Sequence, residues 1–424
     1  MLFLLPRYAS AALVEIDTNT GFKSVYLAEN TSASTVTVAL VVLAGEVDVE
    51  GPEGLSHYLE HLMFWHADNA GGPGLHARGG NAWVNGIVSS YYNQSEKTDL
   101  PAMLEFIARL YTPPDLDKDF MLRERSVVAR EYDLRVSENP DWRIRTAIRR
   151  HLYNNHPVSR SVIGTPESIQ SLSIESAVDF HRRYYHPRNS VLFISGDISQ
   201  TDAVNAVNSH LHHLESGNLH AAEWRSANLI SEFDKTFEFI DDQARYERLL
   251  YGSLSRYPKN INGVKRWYAL KMLESILDSA LDGGVARPLR MDNFILRSFA
   301  INMHGLLKGS FEFSMYAEPD KGIDLPQATE AIADALRTIA KQGVPLKTLE
   351  RVRKRMLQTE QRIADDQIDN YWRMAVQLSE GVKPVSGQEH LDQIKAVSLA
   401  EVNRLLDALA NPVRRSIAHI KPPQ

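Results

Sequence analysis

The chain contains 424 residues, which at roughly 150 residues per domain predicts two or three domains. Apolar residues make up 43% and charged residues 24%, a composition typical of soluble globular proteins. The 47 Lys and Arg are outnumbered by 53 Asp and Glu, so nucleic acid is not an expected partner. The chain has no cysteine, which excludes disulfides and thiolate chemistry, so any metal must be held by His and carboxylates.

The first elements along the chain predict neither an export signal nor a membrane span. Residues 1–5 are apolar but too few for a signal peptide, and no basic flank precedes them. The longest apolar run, residues 36–44, is too short to cross a membrane and predicts a buried strand over 35–43. We expect a soluble protein, cytoplasmic or periplasmic, and the compartment stays open because a removed leader would not be visible in this sequence.

The strongest local signal is the motif H-x-x-E-H, formed by His57, Glu60 and His61. Positions i and i+4 lie on one face of a helix, so the two histidines can hold one metal ion between them. Glu60 borders that face and can reach a metal-bound water, as in the inverted zinc-peptidase motif. The alternative is that these side chains decorate a helix surface, because leucines and a methionine form a separate apolar stripe on the same segment.

A helix predicted over residues 119–136 carries Glu124 and Glu131, seven residues apart on one face with two valines. Burying two carboxylates in a core-facing stripe costs free energy unless each is paired with an opposite charge or a metal ion. A zinc ion bound to one glutamate and supported by the other would offset this cost, and the bound glutamate would be the third protein ligand that a catalytic zinc requires. For this helix alone, solvated glutamates paired with Arg123 or Arg130 are the simpler alternative.

An internal repeat predicts two similar halves. The segments that begin at Ile169 and Ile394 match at a constant offset of 225 residues, with Ser173 on Ser398. In both, the serine is an expected N-cap, a proline ends the helix, and a β-branched run follows as a strand.

The joint between the halves is predicted within the polar stretch 214–230, which gives domains of residues 1–220 and 221–424. Other predicted elements are a strand over 191–195 and helices over 100–111 and 346–365. Strands and long helices without βαβ alternation predict an α+β fold, with helices packed on a sheet in each half.

With these motifs the chain resembles the inverzincin zinc metallopeptidases, the family of pitrilysin, insulin-degrading enzyme and mitochondrial processing peptidase. The match extends over nearly the whole chain and is of the half-length, bacterial type. Besides H-x-x-E-H and the two glutamates, it is carried by Gly54-Leu55, Gly79-Gly80-Asn81-Ala82, Tyr91-Tyr92, His156-Pro157, Tyr184-Tyr185, Pro187 and Gly196-Asp197.

The resemblance implies that His57, His61 and Glu131 bind one Zn2+ per chain, with Glu60 as the general base and Glu124 as a supporting glutamate. It also implies two similar α+β domains that form half of a clam-shell peptidase.

Substrate contacts are implied for Asn81 and Ala82, because the matching strand of the family pairs with the substrate backbone. The segment 81–93 is therefore expected to be an edge strand near the site. Trp83 and Val84 stand where small or hydroxyl residues are usual. The loop over residues 66–76, beside the site, is shorter than in the family. The family's substrate preference therefore does not carry over to this chain.

The family's second domain carries an Arg and then a Tyr that contact the substrate. Arg290 matches the arginine and is predicted to bind substrate, but Arg297 stands in the tyrosine position and Phe299 is the nearest aromatic residue. A slipped alignment or a tyrosine from elsewhere in the chain are the alternatives. We predict a heterodimer in which a homologous partner supplies the Arg and Tyr clamp, with a homodimer as the alternative.

Together these features predict a zinc metalloendopeptidase that hydrolyses unfolded or short peptides, as the catalytic subunit of a two-chain enzyme. The alternatives are a non-catalytic scaffold or peptide-binding subunit of the same fold, and a zinc hydrolase that does not act on peptides.

Overall fold

A computed structural model of the chain describes residues 13–30, 32–68, 80–115, 117–137, 139–218, 223–226, 231–242, 244–259, 261, 263–363 and 366–423. The chain forms two similar α+β units, each a mixed sheet with packed helices, which confirms the predicted fold class. Within the described ranges, every helix is too short or too polar to span a lipid bilayer. The expectation for residues 1–5 lies outside the described residues.

The first unit is built on a sheet with strand order β1-β2-β6-β3-β5-β4, in which only β2 and β6 are parallel neighbours. Its strands are β1 Leu13–Glu15, β2 Ser24–Glu29, β3 Val36–Val42, β4 Asn81–Val84, β5 Ser89–Ser95 and β6 Ser190–Gly196. Its helices are α1 Leu55–Asp68, α2 Leu100–Arg109, α3 Lys118–Tyr132, α4 Pro140–Leu152, α5 Pro166–Gln170, α6 Ile174–Tyr184 and α7 Gln200–Leu211.

The second unit repeats this plan with strand order β7-β11-β8-β10-β9, where β7 and β11 are the parallel pair. Its strands are β7 Phe233–Ile240, β8 Arg248–Arg256, β9 Leu296–Leu307, β10 Ser310–Pro319 and β11 Arg414–Lys421. Its helices are α8 Val264–Leu277, α9 Leu325–Gln342, α10 Leu346–Ile363, α11 Gln367–Ser379, α12 Gly387–Ala396 and α13 Leu399–Ala410.

The internal repeat corresponds to equivalent elements. Ser173 caps α6 by accepting a hydrogen bond from the Ser176 amide, and Ser398 caps α13 by accepting one from the Glu401 amide. Each helix leads into a strand that pairs in parallel with an early strand of its unit, β6 with β2 and β11 with β7. Residues 219–222 lie outside the described part, so the boundary at 220/221 stays a prediction.

Segment 81–93 is not the single edge strand that we predicted. It forms the hairpin of β4 and β5, and only β4 lies at the edge of the sheet. The chain reverses at Asn85-Gly86, where the Asn85 side-chain oxygen accepts hydrogen bonds from the amides of Ile87 and Val88 at 2.7 and 2.9 Å. The loop comprises residues 85–88, and neither Asn85 nor Gly86 has a positive φ, so asparagine acts here through its side-chain hydrogen bonds to the backbone.

The two units exchange a helix. Helix α4 of the first unit packs on β8 and β11 of the second sheet, and α11 of the second unit packs on β3 and β6 of the first. β3 is buried along its whole length, as a strand covered on both faces must be. One face meets the core that includes α1 and α2, and the other meets Tyr371 and Met374 of α11.

A buried ion pair joins the exchanged helix α4 to the second sheet. Glu312 of β10 is 3% exposed, lies 3.3 Å from the Arg149 guanidinium, and accepts a hydrogen bond from the Tyr153 hydroxyl at 2.7 Å. Burial alone would raise the pKa of Glu312, but Arg149 and the other groups around it outweigh burial and lower the pKa.

We expect Glu312→Gln to lower the free energy of unfolding at pH 7 by about 3 kcal/mol, because it leaves the partly buried Arg149 guanidinium without its counter-charge. Since the folded-state pKa of Glu312 is lowered, its contribution is present above the unfolded value of about 4.3 and declines as pH falls below it. Urea denaturation of both proteins at several pH values measures this. Glu330→Gln, which alters an exposed pair with Arg337, is the control, and equal losses from both changes would contradict the prediction.

Candidate metal centre

Helix α1 carries the H-x-x-E-H motif, and the buried carboxylate of Glu46 forms hydrogen bonds with the residues at the start of this helix. The Glu46 carboxylate accepts hydrogen bonds from the Gly54 amide at 3.1 Å and the Ser56 hydroxyl at 2.7 Å. The Arg160 guanidinium lies 3.3 Å from the same carboxylate. Gly54 has a φ of +91°, and a Cβ there would lie 3.0 Å from the Ile163 carbonyl oxygen, so glycine is required where the chain enters the helix.

His57 and His61 lie one turn apart on α1, with ring centroids separated by 4.8 Å and planes nearly perpendicular. The opposite face of the helix is buried in the core through Leu59, Leu62 and Met63. The alternative of a decorated, solvated helix surface therefore does not describe this motif, since His57 is itself only 8% exposed.

Helix α3 brings Glu131 to the two histidines. Its Oε2 atom lies 3.5 Å from His57 Nε2 and 3.4 Å from His61 Nε2, and the three ligand atoms all lie within 4.8 Å of one another. The two helices are tied together by the Tyr58 hydroxyl, which donates to the Met121 carbonyl oxygen at 2.7 Å. Two imidazole nitrogens and one carboxylate oxygen are the protein ligands of many catalytic zinc sites, so these residues fit the metal that the sequence predicts.

Glu124 supports His61 from the second glutamate position of α3. Its Oε2 atom lies 3.2 Å from His61 Nδ1, and the side chain is buried. A carboxylate on Nδ1 fixes the ring orientation and leaves Nε2 as the ligand atom. Neither solvation nor pairing with Arg123 or Arg130 is therefore needed to explain this glutamate.

Glu60 stands beside the group of three ligands and does not belong to it. One of its carboxylate oxygens lies 3.8 Å from His57 Nε2. Burial raises the pKa of Glu60 to about 7, partly opposed by the charge of His61. A carboxylate with this pKa can both accept and return a proton near neutral pH.

The pKa values of the two histidines are shifted in opposite directions. Burial and the neighbouring His61 lower the pKa of His57 to about 4. Burial also disfavours charge on His61, but hydrogen bonds with Glu124 and Glu131 outweigh burial and raise its pKa to about 10. The hydrogen bond from His61 in turn lowers the pKa of Glu131. A metal ion binding at His61 Nε2 would have to displace this shared proton, so its affinity would rise with pH.

Arg135 is a site residue that the motifs did not reveal. Its guanidinium lies 2.9 Å from the outer oxygen of Glu131, Oε1, and so leaves Oε2 to face the histidines. Arg135 lies in a turn of π-helix, Asp133–Ser137, that continues α3. The i,i+4 spacing from Glu131 is the signal that could have identified it.

The predicted substrate contacts are not all brought to the centre. Asn81 and Ala82 lie on the edge strand β4, which packs beside α1. Arg290 lies in the exposed turn Arg287–Asp292 of the second unit and makes no contact with the histidines or Glu131 within the described structure. Part of the loop predicted to be shortened, residues 69–76, lies outside the described residues.

Arg297, in the predicted tyrosine position, is held on the surface of the second sheet. Its guanidinium makes two hydrogen bonds to Glu318, at 3.1 and 2.8 Å, and lies over the ring of Tyr246 at 4.7 Å. Tyr246 is 53% exposed, so a tyrosine does stand beside this position, although it comes from the loop between β7 and β8.

The fold and the site define a two-unit α+β protein with an inverted zinc-peptidase motif. The family profile described as insulinase (peptidase family M16) matches residues 24–166, and the profile described as peptidase M16 inactive domain matches residues 171–356. The chain belongs to the M16 peptidase family, and the candidate metal ligands all lie within the first profile.

Curated relatives support a peptidase-type function. The chain is 26% identical over 188 residues to the uncharacterized zinc protease YmfH of Bacillus subtilis, covering 44% of each chain. It is 27% identical over 221 residues to the Schizosaccharomyces pombe protein named "Probable mitochondrial-processing peptidase subunit beta", covering 50% of this chain and 48% of that one. The match thus spans about half the length of these relatives.

A solved structure shares the fold over almost the whole chain. The crystal structure of a protease from Helicobacter pylori superposes with a TM-score of 0.81 at 18% sequence identity, covering 97% of this chain and 99% of that one.

We expect Glu124→Gln to weaken zinc binding by about 10- to 100-fold, because His61 loses the charged acceptor that orients it. Competition titration against a chelating dye measures the affinity, and Glu330→Gln controls for the loss of one negative charge far from α1 and α3. Unchanged affinity in Glu124→Gln would contradict a supporting role for this residue.

Proposed function

We propose that this chain is a zinc metalloendopeptidase and the catalytic subunit of a two-chain enzyme. The observation that carries the proposal is the convergence of His57, His61 and Glu131 around one point, with the carboxylate of Glu60 beside them. A subunit relieved of catalysis has no need for two helices to keep these four side chains in register.

The reaction follows from the roles of these side chains. His57, His61 and Glu131 would hold a zinc ion, which would supply acidification of a water molecule and polarisation of the peptide carbonyl group. Glu60 accepts the proton from the attacking water and returns it to the leaving amine, for which its raised pKa is suited. Glu124 and Arg135 hold His61 and Glu131 in orientation and take no part in proton transfer.

The substrate class follows from the strand beside the site. An edge strand offers main-chain donors and acceptors that only an extended backbone can pair with. Asn81 and Ala82 of β4 are placed to make such contacts, so unfolded or short peptides are the proposed substrates.

Removing the general base should separate metal binding from catalysis. We expect about one zinc per chain in the wild type and in Glu60→Gln, with hydrolysis by Glu60→Gln reduced about 10²- to 10⁴-fold. His61→Ala and Glu131→Gln should lose both zinc and activity, since they remove ligands.

Metal analysis and a fluorogenic peptide assay on the four proteins test this. Loss of zinc from Glu60→Gln comparable to that from His61→Ala would contradict the assigned roles. A zinc-loaded wild type without hydrolysis, alone or with partner, would favour the alternative of a non-catalytic subunit.

The second chain is proposed because the substrate clamp is incomplete here. Arg290 has no tyrosine after it in the expected place, and a hydrogen bond missing from the transition state can slow hydrolysis about 10²-fold. We expect the isolated chain to be slow, and a homologous partner carrying the Arg and Tyr to restore the rate.

Peptide assays with and without that partner, intact or with its Arg and Tyr replaced, test this prediction. Full activity of the isolated chain would indicate a homodimer instead. In that case Tyr246, which stands beside Arg297, is the residue to replace by Phe, since it could supply the missing hydroxyl.

A further inference from the structure

Three aromatic side chains form a surface beside the edge strand β4, which we name the aromatic patch: Trp83, Tyr92 and Trp372. Trp83 stacks on Trp372 of α11 with ring centroids 5.0 Å apart and an interplanar angle of 23°. Tyr92 of β5 meets Trp372 edge-on at 6.4 Å. Trp372 is 38% exposed, although its helix α11 packs on β3 and β6 of the first sheet.

The aromatic patch is fixed in place by buried hydrogen bonds. The Trp83 indole nitrogen donates to the Tyr371 hydroxyl at 2.5 Å, and that hydroxyl lies 2.7 Å from Ser90 Oγ. Tyr371 is fully buried between the first sheet and α11. A ligand that contacts these rings therefore meets a surface that is already ordered, which lowers the entropy cost of binding.

The geometry of β4 decides which part of a peptide would reach the aromatic patch. Among the described residues, no strand pairs with the outer side of β4. Ala82 packs on the core that contains α1, whereas Trp83 points to the opposite face of the sheet, toward α11. Successive side chains of an added strand would alternate between these two faces, so every second one would lie on the face of Trp83 and Trp372.

We propose that the aromatic patch binds an aromatic or large aliphatic side chain of a peptide paired with the edge of β4. This proposal rests on the proposed function and adds a substrate class, namely extended peptides with such side chains at alternate positions. The contact is apolar and offset from α1 by the thickness of the sheet, so it selects substrates without touching the reacting groups.

The test uses alanine-rich peptides in which one Phe is moved along the sequence. We expect kcat/KM to rise about tenfold when Phe occupies one alternate set of positions, as an aromatic contact of this kind is typically strong enough to do. Trp372→Ala should abolish this preference, so that the Phe peptides and the all-alanine peptide are hydrolysed at similar kcat/KM. The control is Trp142→Ala, which removes a similarly exposed tryptophan, 41% exposed, from α4.

Circular dichroism and thermal melting establish whether each variant is folded. If Trp372→Ala does not fold, Trp372→Gln, which retains more side-chain bulk, takes its place. A folded variant that keeps the wild-type preference for Phe overturns the proposal. The proposal is also overturned if the variant changes the sedimentation coefficient and keeps the preference for Phe. The aromatic patch would then be a contact with another protein chain and not a substrate site.

Binding separates this proposal from the proposed function. Fluorescence anisotropy with labelled peptides and the Glu60→Gln protein measures affinity without turnover. Tighter binding of the Phe peptides, lost in Glu60→Gln/Trp372→Ala, supports the patch even if the wild type hydrolyses nothing. Zinc-dependent hydrolysis without any Phe preference supports the peptidase and refutes the patch.

Discussion

Each sheet of this protein has two apolar faces, and its own unit supplies most of the helices to only one of them. β3 shows this need for cover on both faces most clearly, because all of its residues are buried and both of its faces are shielded from solvent. The second face of each sheet is covered by a helix from the other unit, α11 on the first sheet and α4 on the second. The Arg149–Glu312 pair and the Trp83–Trp372 stack are both products of this exchange.

The candidate metal centre is built on the opposite face of the first sheet, where α1 and α3 bury several ionisable side chains together. Such burial is unfavourable unless each charge has a partner. Here Glu131 faces both histidines and Arg135, while Glu124 faces His61. The same arrangement that offsets the desolvation leaves three ligand atoms directed at one point.

Much of this centre could be predicted because its signals are local. The i,i+4 spacing of His57 and His61, and the seven-residue spacing of Glu124 and Glu131, put each pair on one helical face, and the family resemblance joined the two helices. The hairpin at Asn85-Gly86 was also readable from its turn residues, although we predicted one continuous strand there. The approach of Arg135 to Glu131 was missed because a π-helical turn has no comparable pattern, and only their i,i+4 spacing indicated it.

The aromatic patch could not be predicted from local sequence patterns, because it depends on contacts between residues far apart in the chain. Trp83 and Tyr371 are separated by 288 positions, and their contact depends on which unit covers which sheet face. The Arg290 prediction depends on its match to the family's arginine and on no local pattern. The structure places Arg290 on the exposed turn Arg287–Asp292 of the second unit.

The helix exchange also has a consequence for the history of the chain. Helices α4 and α11 are related by nearly the same 225-residue offset as the repeated segments, so equivalent elements cross between equivalent units. This is domain swapping within one polypeptide. A single unit made alone would expose one apolar sheet face and one unpartnered helix, and two copies could satisfy both by swapping. The arrangement is what the fusion of two genes encoding such a swapped dimer would produce.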